Sequence, residues 1–191
     1  MRLTDLFAVG LISLCMLPNL GCGSGSSSSS TTQPITQVQA TQVGLQVYHA
    51  VMSAALGVPG SGTNATLSAA YKCQLGGTIQ VSGTSTYSLA SGTNMDLTET
   101  PANCDISPSI LIGDPNLTFT YSYQVGRTSS STSGTITGGL TVAPDSSTPG
   151  IFPTGTCQIN ETYNISASSG SATTCSISGT ACNQTVSTSC E

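Results

Sequence analysis

Charge is what this chain most lacks. Of its 191 residues three are Lys or Arg and eight are Asp or Glu, so 6% are charged, against about 25% in a typical soluble domain. There is no Trp, a single His, and aromatic residues make up 5%. Each shortage excludes something. Binding nucleic acid requires several clustered basic side chains to neutralise phosphates. Beyond Arg2 the chain has only Lys72 and Arg127, so nucleic acid is no partner for it. A Ser-His-Asp or Cys-His mechanism would have to pass through His49, and no G-x-S-x-G elbow accompanies it. His49 is expected on a helix surface or packed on a sheet. No two cysteines are spaced C-x-x-C, which with one histidine removes the usual zinc sites. No catalytic residue, metal site or cofactor is expected, and the chain does not read as an enzyme.

The acids Asp96, Glu99, Asp105 and Asp114 cluster in sequence. Paired acids can hydrolyse glycosides, but such sites sit in clefts with aromatics that are scarce here. Asn103 and Asn116 add oxygen donors for calcium, yet no ordered D-x-D-x-D loop exists. Pro101, Pro108 and Pro115 punctuate the stretch, so its acids are expected to be solvated turn residues. Lys72 reads as an edge-strand lysine that discourages sheet association, and Arg127 as a solvated loop residue.

What is present is organised by period. Over 35–56, Val38, Leu45 and Met52 recur every seven residues, with Thr41, Tyr48 and Ala55 beside them and Val47, Val51 and Ala54 widening the stripe. This predicts a helix about 31 Å long, capped by Thr36, ended by Gly57 and Pro59, and lying with that stripe on a sheet. After residue 63 the period changes to 2. Strands are predicted over 66–74, 77–82, 86–89, 94–99, 117–125, 134–142, 156–167, 173–180 and 184–189, with a bulge at Gly138-Gly139 and a hairpin loop over 129–133. The fold class is mainly β: an antiparallel β-sandwich or partly closed barrel with one long N-terminal helix packed against the sheet.

The eight cysteines divide by position. Cys15 lies in an apolar run over residues 6–17 that follows Arg2; the run has the length of a signal-peptide core and is too short to span a bilayer. Cys22 ends that segment. The other six are an even set, so disulfides are expected. If residues 157–167 and 173–182 form a hairpin about Ser169-Gly170, opposing positions sum to about 339 and Cys157 faces Cys182. A second reversal at Asn183 brings Cys190 towards Cys175, which leaves Cys73 with Cys104.

The first twenty-two residues, ending Leu17-Pro18-Asn19-Leu20-Gly21-Cys22 and followed by Gly23-Ser24-Gly25 and serines, resemble a bacterial lipoprotein signal. Asn19 stands where that pattern carries an aliphatic residue. The resemblance implies cleavage of residues 1–21, lipidation of Cys22, and attachment to a membrane through the lipid. Residues 22–34 would be the lipidated cysteine and a flexible Gly/Ser/Thr tether, and 35–191 a single helix-plus-β domain. Gly23, a non-acidic residue after the cysteine, implies the outer membrane or cell surface in a two-membrane bacterium. The expected function is that of an exported, lipid-anchored cell-envelope protein, a non-enzymatic structural or protein-interaction module with an envelope protein as partner. The alternative is a lipoprotein that binds a small molecule or carbohydrate between helix and sheet, near Tyr48, Tyr121 and Tyr123.

Overall fold

The computed structural model describes residues 34–106, 109–112, 116–144 and 154–190. Residues 1–33, which hold the expected leader, Cys22 and nearly all of the expected tether, lie outside them, as does Asp114. Helix α1 spans Gln37–Gly57. Thr36 caps it: its hydroxyl accepts from the Gln39 N–H at 3.3 Å, and the Gln39 side-chain oxygen accepts from the Thr36 N–H at 2.9 Å. This reciprocal capping box satisfies two of the donors that a helix start leaves orphaned. Val58, extended before Pro59, ends the helix.

The strands are β1 Ala65–Lys72, β2 Gly76–Ser88, β3 Gly92–Asp105, β4 Ser109–Ile112, β5 Leu117–Val125, β6 Ser129–Pro144, β7 Gly155–Ser168, β8 Thr174–Ala181 and β9 Gln184–Ser189. All pairings are antiparallel, and consecutive strands pair with each other except β4 and β5. β4 and β5 share one place between β3 and β6: Glu99 pairs Leu117 of β5, while Cys104 pairs Leu111 of β4. They are two pieces of a single interrupted strand.

Pro101 explains where the interruption falls. The ladder from β3 to β5 and β4 skips residues 100–103, so the proline's missing N–H leaves no vacancy on that side. The Thr100 hydroxyl donates to the Asn116 side chain across the gap at 2.8 Å.

Eight strand places at about 4.8 Å each would make a flat sheet roughly 34 Å wide, three times a helix diameter. Yet α1 touches β1 and β2 near one edge and β8 and β9 at the other, and Gly44 meets Glu161 of β7 in between. The sheet therefore curls into a partly closed barrel around the helix. Side chains of α1 also cover the edge of β9. Gln37 donates to the Thr185 carbonyl at 3.4 Å, and the His49 Nε2–H to the Cys190 carbonyl at 3.2 Å.

The enclosed core is mainly apolar. Leu97, Phe119, Leu117, Ile136, Leu140, Tyr163 and Ile177 from the sheet meet Val43, Val47, Val51, Ala54 and Ala55 from the helix, none more than 1% exposed. That helix face differs from the expected stripe. Val38 is 71% exposed, and Leu45 and Met52 are only half-buried. A concave sheet admits the helix on its narrow Ala/Gly/Val side, where backbones approach closely, and leaves the larger heptad residues at the margins.

Three strand expectations are also corrected. Residues 77–82 and 86–88 belong to one strand, with Leu89 in the turn beyond it, because Gly83 at φ 143° carries β2 past a point where an added Cβ would overlap the Asp96 carbonyl. Residues 129–133 are strand, paired to both β5 and β7. At Gly138-Gly139 the register against β7 does not shift; the pairing on the other side changes there from β5 to β4. Disulfides join Cys73 to Cys104, Cys157 to Cys182 and Cys175 to Cys190.

Candidate functional site

A groove of about 300 Å³ runs beside α1, between its exposed stripe and the ends of β1–β3. The helix contributes Leu45, His49 and Ser53; the sheet contributes Tyr71 and the Cys73–Cys104 disulfide, with Ile106 beyond β3. The disulfide ties the end of β1 to β3 and so fixes one wall. His49 is exposed, and its bond to a carbonyl, which can only accept, places the imidazole proton on Nε2. The groove presents apolar surface with a few polar groups, and no charged side chain lines it.

Beneath the helix an aromatic cluster packs the space. Tyr48 packs on Tyr163 with ring centroids 5.4 Å apart, Phe119 stacks on Tyr163 at 5.8 Å, and Tyr121 lies 6.3 Å from Phe119. The Tyr163 hydroxyl donates to the Thr120 carbonyl at 2.7 Å, and Gly134 makes the room: a Cβ there would overlap both groups. Burial holds the Tyr163 hydroxyl well above the usual tyrosine pKa, helped by negative charge on Tyr121, Tyr48 and Glu99. Burial likewise raises Tyr48 and Tyr121.

Within this core lie two carboxylic acids. Glu99 on β3 and Glu161 on β7 are 0% and 1% exposed, and none of their four oxygens has a hydrogen-bond partner among the described residues. Removing a carboxylate from water without a partner strongly disfavours the charged form. Desolvation pushes Glu99 up to about 9 and Glu161 up to about 7, so Glu99 is neutral at physiological pH and Glu161 is poised between forms. Neither borders the groove beside α1.

Gly44 exists for Glu161. A Cβ at this position of the helix would overlap the Glu161 Oε1 atom. Gly44→Ala should destabilise the domain by about 1–3 kcal/mol through overpacking. Combining it with Glu161→Ala should recover at least about 1 kcal/mol in a double-mutant cycle followed by urea unfolding. Strictly additive losses would remove the contact from the account.

The acids expected in solvated turns are thus distributed differently. Glu99 is fully buried mid-strand, Asp96 is exposed on the other face of β3, and Asp105 is half-buried at its end. Alternation shows why: Asp96 and Glu99 are three apart and so point to opposite faces, and Leu97 shares the inward face with Glu99. Glu161 had no place among the sequence candidates, although its place in the alternation Ile159-x-Glu161-x-Tyr163 puts it on the inner face. Lys72 is exposed at the end of the edge strand β1, and Arg127 is exposed in the β5–β6 turn. Among the described residues no group of three or more His, Cys, Asp or Glu is placed to hold a metal, and no helix is long and apolar enough to cross a membrane.

No family model, curated protein or solved structure matches the chain.

Proposed function

We propose that this chain is an exported cell-envelope protein, anchored by a lipid on Cys22, whose helix-plus-β domain is a non-enzymatic interaction module. The observation that carries the reading is the cysteine arrangement. All six cysteines after Cys22 are bonded to one another, as in an oxidising compartment. Cys22 alone, beyond the apolar leader, remains for modification. The filled interior supports the second half of the reading, since what the domain offers a partner is its surface. The groove beside α1 is the natural docking place on that surface.

A second reading puts a small molecule in the same groove. Its volume of about 300 Å³ lies at the lower end of ligand pockets, and Leu45, Tyr71 and Ile106 would cover an apolar body while His49 orients a polar group.

Metabolic labelling with an alkynyl fatty acid, followed by membrane fractionation, tests the anchor. The wild-type chain should take up label and sediment with membranes, whereas Cys22→Ser should be unlabelled and soluble. Equal fractionation of both as soluble protein would end the anchored reading. A photo-crosslinker at Ser53 then separates the two occupants, because a protein partner gives a discrete higher-mass adduct and a small molecule does not.

A further inference from the structure

Two clefts lie at the end of the barrel where the β2–β3, β5–β6 and β7–β8 turns gather. One, of about 340 Å³, lies between the first two turns and is bordered by Tyr87, Leu89 and Tyr123. The other, of about 320 Å³, lies between the β5–β6 and β7–β8 turns. They share Tyr123, Val125, Gly126 and Ser129, so together they form one groove crossing the rim. With turns separated by two strand places, its length is roughly 19 Å.

Three features of this groove point to a ligand. Among the described residues six large apolar side chains are exposed, and three of them, Tyr87 at 47%, Leu89 at 95% and Val125 at 67%, border this groove. The remaining lining is almost wholly hydroxyl, amide and glycine, with no charged side chain in either cleft. The walls are also fixed in place. The Tyr87 N–H donates to the Asn64 side chain at 2.6 Å, the Ser91 N–H to the Ser88 hydroxyl at 3.0 Å, and the Ser169 N–H to the Thr128 carbonyl at 2.9 Å, which ties the β7–β8 turn to the β5–β6 turn. Gly92 allows the tight approach of β3 to the Tyr123 carbonyl, which a Cβ would overlap. Such a groove meets a ligand with little ordering left to do.

The chemistry of the lining selects the class. An anionic ligand would find at most one counter-charge, the exposed Arg127 of the β5–β6 turn, which lines neither cleft, and a purely apolar one would leave the hydroxyls and amides unpaired. Tyrosine rings offer flat apolar faces with a polar tip, and serine and glutamine supply donors and acceptors around them. An uncharged polyhydroxyl chain satisfies both, laying C–H faces on the rings and its hydroxyls on the rim. We propose that this rim groove binds a neutral oligosaccharide, with Tyr87 and Tyr123 as the stacking residues. The site is separate from the groove beside α1 and does not depend on the lipid anchor.

The test is calorimetric titration of the oxidised full chain in detergent with cellohexaose, chitohexaose, maltohexaose and mannohexaose, and with a charged oligogalacturonate as contrast. At least one neutral hexasaccharide should bind saturably and the galacturonate should not. Tyr87→Ala and Tyr123→Ala should each weaken binding by about tenfold, the loss of one stacked aromatic contact. Leu45→Ala, in the other groove, should leave it unchanged. Tyr87 is half-exposed, so its variant keeps the fold even where Tyr123→Ala perturbs it. Absence of neutral binding at millimolar ligand, equal binding of the galacturonate, or full affinity in Tyr87→Ala would each overturn the proposal.

Discussion

Raising the pH from about 5 to about 9 should destabilise the folded domain progressively, and Glu99→Gln should remove most of that loss. The direction follows from burial. Both buried acids have folded-state pKa values above the ordinary carboxylate value, Glu99 at about 9 and Glu161 at about 7. Between the unfolded value near 4.5 and these numbers, the folded chain holds protons that the unfolded chain has released. Stability is therefore fully present below the unfolded pKa and is lost as pH rises. Each group contributes a slope approaching about 1.4 kcal/mol per pH unit. Both act up to about pH 7, and Glu99 alone continues towards pH 9.

The accumulated effect of Glu99 is several kcal/mol, with Glu161 contributing roughly half as much, against a total stability of about 5–15 kcal/mol. Glutamine has the shape and neutrality of the protonated acid, so Glu99→Gln should match wild type near pH 5 and exceed it near pH 9. Urea unfolding at several pH values, read by near-ultraviolet tyrosine dichroism, measures this directly. A flat pH profile in the wild-type chain would show that water or a rearrangement solvates these carboxyls.

The Cys157–Cys182 bridge should carry the other large effect. It closes a separation of 25 residues, for which the chain-entropy relation gives about 3.5 kcal/mol at 25 °C. Cys157 is fully buried and Cys182 nearly so, so Cys157→Ala with Cys182→Ala also leaves unfilled space. The double variant should lose about 3–5 kcal/mol and melt about 10 °C lower. Cys175 and Cys190, half-buried and 15 residues apart, should matter less when replaced together. A loss below about 1 kcal/mol for the first pair would mean that the unfolded chain gains little freedom when that bridge is absent.

The pairing argued from hairpin alternation is the one found, and its success rested on turns more than on exact register. The β7–β8 ladder sums to 340, as in Ile159↔Ala181, one residue from the expectation. Cys182 and Asn183 take positive φ values of 51° and 64° in the β8–β9 turn, which lets Cys182 reach back to Cys157 from outside the ladder. Leu117–Val125 was legible residue for residue because apolar and polar positions alternate cleanly within it, and Gln184–Ser189 because β-favouring Thr and Val follow the turn at Asn183.

The serine-rich start of β6 was not legible. Ser and Thr carry little hydropathy, and at the rim neither face has to be strongly apolar, so the alternation that marks a strand is too weak to read there. The interrupted strand was hidden too, since its two pieces are recognised only by their shared neighbours. The buried acids were missed for a related reason. Periodicity read from apolar residues treats a charged residue as an outward position, and at Glu99 and Glu161 that assumption is wrong. The rim groove left a trace only in Tyr87, Tyr123 and Val125, whose gathering depends on which turns the curled sheet brings together.

The helix that touches both ends of the sheet sets the order in which the molecule can be built. Every strand pairs with a chain neighbour, so hairpins can zip together locally and early. α1 is different: the Gln37–Thr185 contact spans 148 residues of sequence. A helix made among the first described residues must wait for the last strand before its apolar face is covered. Until β9 arrives, the side of α1 that meets β8 and β9 has nothing to close on, so the fold is completed only by its final turn.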